Sequence, residues 1–131
     1  MIRKIACLLA VVGLLTCGTT VKGAAMTEAT PQEDAAKALV GRVTGGRQGE
    51  FIIKINPQQC DGKDWYAYYA QDGKVVLEGN NGVSVASALN NYLKENCGWH
   101  LTWCGKQDKL PQVLPLPKEK VQRTSPYKYR Y

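Results

Sequence analysis

The stretch ENCGWHLTWCG, Glu95 to Gly105, places two thiols and the only imidazole of the chain within eleven positions. With Cys60 upstream, Cys97, His100 and Cys104 make four side chains of the kinds that hold zinc. The spacing argues against a metal. Structural zinc sites favour Cys-x2-4-Cys pairs, and none is present. Trp99 to Cys104 alternates like a strand, which separates His100 from Cys104 by about 13 Å at ~3.3 Å per residue. Donor atoms on one zinc lie within about 4 Å of each other. No metal and no cofactor is therefore expected.

Nucleophilic chemistry fares no better. A thiol or hydroxyl needs a neighbouring base, and His100 reads as a solvent-side strand residue. No Gly-x-Ser-x-Gly is present, and the glycine-rich Gly41 to Gly49 lacks the Gly-Lys-Ser/Thr ending of a phosphate loop. Glycosidase chemistry uses two carboxylates some 5–9 Å apart. Asp61 and Asp64 fall in one loop, Asp72 in a turn, and Glu50 and Glu78 at strand ends, so nothing forces a pair together. No catalytic residue is expected. Aromatic residues are the remaining candidates. Trp65, Tyr66, Tyr68 and Tyr69, with Trp99 and Trp103, have the flat rings that stack on sugars, Trp65 and Tyr66 being the weak substrate-binding candidates. In a strand, Tyr66 and Tyr68 share one face and Trp65 and Tyr69 the other. Aromatics on both faces suggest a sheet covered by helices on one side and partly by another domain on the other.

The elements that would position these residues follow from periodicity. Thr30-Pro31-Gln32-Glu33 is a helix start with a capping box, followed by Ala35, Ala36, Leu39, Val40 and Val43 at helical spacing and a Gly45-Gly46 stop. Glu50 to Ile55 and Trp65 to Gln71 read as strands. Asp72-Gly73 is a hairpin turn, and Lys74 to Glu78 returns. Val85, Ala86, Leu89, Tyr92, Leu93 and Cys97 form one stripe of a second helix, ending at Gly98 as a left-handed cap. Trp99 to Cys104 is the expected fourth strand; Leu110 to Leu116, broken by Pro111 and Pro115, is at best an edge. The order α-β-β-β-α-β predicts a single small α+β domain: a mainly antiparallel sheet of about four strands with two helices on one face. The domain spans 31–116, after a polar lead at 24–30 and before a basic linker at 117–131.

The first residues belong to export. Arg3 and Lys4 precede the apolar run Ile5 to Leu15, too short to span a bilayer, and Val21-Lys22-Gly23 suits cleavage after Gly23, giving a signal peptide at 1–23. A second reading stays open: Leu14-Leu15-Thr16-Cys17 resembles a lipoprotein box, with Cys17 lipidated and the protein membrane-anchored. Either way the expected location is outside the cytoplasm, periplasmic or extracellular. Removing Arg3, Lys4 and Lys22 leaves 14 basic residues against 11 acidic. Of these, 106–131 carries seven basic and two acidic, while 24–105 carries seven basic and nine acidic. The basic character thus describes a tail, not a folded face, and no nucleic-acid partner is expected. Export favours disulfides. Three cysteines remain after Cys7 and Cys17 are removed, so Cys60 could pair with Cys97 or Cys104, or Cys97 and Cys104 could be small buried hydrophobes.

Gly82-Val83-Ser84-Val85-Ala86 leading to Leu89-Asn90-Asn91-Tyr92-Leu93-Lys94, then Cys97-Gly98, Trp103, Leu110-Pro111, Leu114-Pro115 and the closing Tyr127-Lys128-Tyr129-Arg130-Tyr131, resembles the N-terminal domain of the α-N-acetylglucosaminidase family of glycoside hydrolases. The resemblance covers about 31–131. It implies a domain preceding a (β/α)8 barrel that holds both catalytic glutamates and removes terminal α-linked N-acetylglucosamine with retention. Those glutamates match nothing in this sequence. The resemblance therefore implies a non-catalytic accessory domain whose partner is the barrel. Two alternatives stand beside it: a carbohydrate-binding module using Trp65, Tyr66, Tyr68 and Tyr69, and a lipid-anchored surface protein.

Overall fold

Thr30 begins the residues that the computed structural model describes, 30–127; the expected signal peptide, Cys17, the lead before Thr30 and the closing 128–131 lie outside them. The capping box forms. Thr30 Oγ1 accepts from the Glu33 amide at 3.3 Å, and Glu33 Oε2 accepts from the Thr30 amide at 3.0 Å. These bonds satisfy two of the donors that a helix start leaves orphaned. Helix α1 (Pro31–Val43) buries Ala36 and Val40 and closes at Thr44. The turn Gln48–Glu50 leads into strand β1 (Phe51–Ile55). Strands β2 (Trp65–Gln71) and β3 (Lys74–Gly79) form the expected hairpin, with Asp72 and Gly73 both at positive φ, 52° and 73°. That is the backbone a two-residue turn needs to match strand twist. Asn81 then caps helix α2 (Gly82–Cys97), accepting from the Ser84 amide at 2.8 Å, and Gly98 ends it in the left-handed region.

The main sheet runs β1-β3-β2-β6, where β6 is Val121–Thr124. Two of its three pairings are antiparallel, and β1 with β3 is parallel, Phe51 opposite Val75 and Ile55 opposite Gly79. Strand β3 thus slots between β1 and β2. Alternation puts Phe51, Tyr68, Val75 and Leu77 on one face, where they meet Ala36, Val40, Val85, Ala88, Leu89, Tyr92, Leu93 and Leu114 in one core. Tyr92 is its hub, edge-on to Phe51 at 5.9 Å and to Tyr68 at 6.0 Å. Both helices pack on this side, α2 over β2 and β3, α1 against α2 and β1. The α+β layer is as the sequence predicts.

Two expectations are corrected. Trp99 to Cys104 does not supply the fourth strand of the main sheet. The chain reverses at Trp103-Cys104, so that β4 (His100–Thr102) pairs with β5 (Gly105–Gln107) in a separate two-stranded hairpin, the Thr102 hydroxyl bonding the Gly105 carbonyl at 2.9 Å. The alternation was that of a hairpin outside the core. The fourth main-sheet strand instead comes from the segment read as linker, where β6 pairs antiparallel with β2, Val121 opposite Tyr68 and Thr124 opposite Trp65. Before it, Leu114 and Pro117 are buried, the Tyr92 hydroxyl donates to the Pro115 carbonyl at 3.0 Å, and Arg47 donates to the carbonyls of Pro111 and Gln112 at 2.7 and 3.1 Å. Prolines leave their own carbonyls free as acceptors, and these bonds hold the segment down without strand pairing.

Candidate functional site

The two ends of the α1–α2 layer are chemically different. At one end the helices start together, the Gly82 amide donating to Gln32 Oε1 at 3.3 Å. A polar knot sits beside them. Asn80 Oδ1 accepts from the Trp65 amide at 3.2 Å and the Ser84 hydroxyl at 2.7 Å, Asn80 Nδ2 donates to Asp64 Oδ1 at 2.8 Å, and the Ser125 amide donates to the Asp64 carbonyl at 2.7 Å. This knot fixes where the chain leaves the sheet after β6. A shallow apolar groove lined by Ala35, Leu39, Val83 and Ala86 lies between the helix starts. At the other end, beyond Gly98, stands the β4–β5 hairpin. Leu101 is 67% exposed, and Trp103 at its tip is fully exposed. Leu101 shares a hollow with Val43, Trp99 and Leu110, and Val113 is 81% exposed on the segment that Arg47 holds. The exposed side chains at this tip are apolar apart from the Cys104 thiol.

The candidate reactive residues are placed apart. Cys60 and Cys104 are exposed, Cys97 is half-buried, and all three are free thiols. Burial pushes the Cys97 thiol up, outweighing its bond with the Tyr92 hydroxyl, so it stays protonated and a poor nucleophile. His100 lies on β4 and Cys104 in the turn that follows it, and among the described residues no group of three His, Cys, Asp or Glu side chains is placed to hold a metal ion. The carboxylates are engaged separately. Glu50 is held below the usual carboxylate range by its hydrogen bond with Arg47, 2.6 Å long. Glu78 meets Lys120 at 3.4 Å, Asp64 sits in the knot, and Asp61 and Asp72 occupy left-handed turn positions.

Nor do the four strand aromatics form one open platform. Tyr68 is buried under α2, its hydroxyl donating to Glu95 Oε2, with Arg123 of β6 on the other carboxylate oxygen at 2.9 Å. Burial and that hydrogen bond push the Tyr68 phenol up to about 12. Tyr66 is half-buried on the same face, against the core. On the opposite face the Trp65 ring is buried and its Nε1 donates to the Gln58 carbonyl at 2.6 Å. Tyr69 is flanked by two lysines: Lys54 bonds its hydroxyl at 3.2 Å, and the Lys120 ammonium lies 4.9 Å from its ring centre. Such side chains keep Ala67 and Val76 out of solvent without a second layer.

Reading Trp99 to Cys104 as one strand of the sheet missed the exposure of Trp103. The available signal was Gly105, followed by a second short segment able to pair back.

Comparison with known proteins shows what this arrangement is similar to. The sequence model of a family described as the alpha-N-acetylglucosaminidase (NAGLU) N-terminal domain matches residues 34–116. The human alpha-N-acetylglucosaminidase is 34% identical over 113 residues, covering 83% of this chain and 15% of its own length. A family 89 glycoside hydrolase from Clostridium perfringens, solved in complex with PUGNAc, is 39% identical with a TM-score of 0.70, covering 76% of this chain and 12% of that one. The same values hold for a form of that enzyme in complex with its substrate GlcNAc-alpha-1,4-galactose. The chain thus spans less than a sixth of the length of either relative.

Proposed function

The chain belongs to the α-N-acetylglucosaminidase N-terminal domain family, and from that premise we propose that it is the non-catalytic accessory domain of an exported glycoside hydrolase that removes terminal α-linked N-acetylglucosamine. Its role is structural: it packs on the catalytic barrel, stabilises it and fixes its orientation. One observation carries this reading. Some 76% of this chain superposes on 12% of a much longer glycoside hydrolase, at 39% identity and a TM-score of 0.70. The distribution of chemistry supports it too. The thiols, imidazole and carboxylates are dispersed or tied into structural bonds, whereas the exposed apolar side chains are of the kind that a neighbouring domain covers. Export rests on the apolar run Ile5 to Leu15 and on the Gly23 cleavage signal. Glycans reach such an enzyme through its barrel.

The test uses a hybrid in which this chain replaces the matching segment of the Clostridium perfringens enzyme. Calorimetry is expected to show one cooperative transition, as in the parent, and a lower transition temperature when the segment is deleted. Two independent transitions, or an unchanged temperature after deletion, would refute structural support.

A further inference from the structure

We propose that the β4–β5 hairpin is the anchor by which this domain grips the remainder of its enzyme, with Trp103 as the buried centre of that contact and Leu101 beside it. The inference rests on the accessory-domain reading above and adds the surface that does the work.

Four of the six large apolar side chains exposed among the described residues, Leu101, Trp103, Val113 and Leu116, lie between α2 and β6. Trp103 leaves its whole ring in water, at the tip of an antiparallel pair whose strand β4 is exposed along its length. A fully solvated tryptophan costs the free domain its favourable transfer energy, and tryptophan is among the residue types that most often dominate binding once a partner covers them. The length of the relatives names the occupant. This domain matches only 12% of the solved enzyme's chain, so it is attached there to a chain several times larger, which is the occupant proposed.

Where the chain leaves sharpens the geometry. The residues after β6 exit at the polar knot, by Asp64 and Trp65, level with the start of α2. The hairpin stands past the other end of α2, whose 16 residues span about 24 Å. A partner joined by the peptide chain at one end and gripped by Trp103 at the other is held at two points, which removes the rotation that a single tether allows. A second copy of this chain fits less well. The hairpin knob and the α1–α2 groove lie at opposite ends, so copies joining through them would add head to tail without closing.

Hydroxyl-radical footprinting of the free 131-residue chain and of the hybrid enzyme tests this. Trp103 is expected to react at least about tenfold more slowly in the hybrid, as a desolvated interface centre should. Trp103→Ser should leave the melting temperature of the free chain within about 2 °C, because it removes no buried contact, yet split the single transition of the hybrid into two. Equal reactivity of Trp103 in both proteins, with the hybrid still melting as one unit, would overturn the hairpin anchor while sparing the accessory role. Two transitions in the unsubstituted hybrid would overturn both. Protection of Trp103 in the free chain on raising its concentration, or on adding a glycan ending in N-acetylglucosamine, would also overturn the anchor, in favour of self-association or of sugar stacking.

Discussion

At the scale of single residues, two glycines are needed for different reasons. A Cβ at Gly79 would lie 2.7 Å from the Ser84 Cβ and 3.0 Å from the Val85 amide nitrogen, where α2 begins against the end of β3. A Cβ at Gly98 meets nothing within 4 Å, but φ there is +64°. Gly98→Ala should therefore cost about 1 kcal/mol of backbone strain, and Gly79→Ala at least about 2 kcal/mol, because helix and strand must part. Urea unfolding of the two variants checks the ranking; equal losses would contradict it. Tyr68 makes a pH prediction. Its phenol stands at about 12 in the fold against 10.0 ordinarily, so the unfolded chain releases that proton first. The stabilisation is whole below about pH 10 and is lost as pH rises toward about 12. Tyr68→Phe should flatten part of the alkaline fall in stability; burial raises Tyr92 and Cys97 in the same direction, so some slope persists. An unchanged slope would show that the fold does not raise the Tyr68 phenol.

At the scale of elements, β6 is the point on which sequence and structure part most. It carries one apolar inward residue, Val121, among Gln122, Arg123 and Thr124, too little for a period-two signal. What places it is long-range: pairing with β2, and Arg123 reaching Glu95 on α2. Ending the chain after Lys120 should lower unfolding stability by more than about 2 kcal/mol, from backbone bonds worth about 0.5–1.5 each; a stability unchanged by that truncation would make the segment a linker after all. Elements with local signatures were legible. The Thr30–Glu33 capping box, the Asp72-Gly73 turn and the Gly98 cap each formed where their residue types demand, because the relevant bonds are close in sequence. The parallel pairing of β1 with β3 was not, since those strands are about 24 positions apart in sequence and no local signal marks their partnership. The hairpin tip was hidden for a related reason: alternation over Trp99 to Trp103 looks the same whether its partner is the main sheet or a segment three residues on.

At the scale of the whole molecule, the reactive side chains are scattered, and six large apolar ones among the described residues are exposed. Three polar tethers, Arg47 to Pro111 and Gln112, Tyr92 to Pro115, and Ser125 to Asp64, bind the later third of the chain onto the α–β core. The central claim is that this domain supports catalysis and performs none. Its most direct test is release of chromophore from an α-linked N-acetylglucosaminide by the purified chain and, in parallel, by the hybrid enzyme. The account predicts turnover by the hybrid and none by the chain alone; turnover by the purified chain would contradict it.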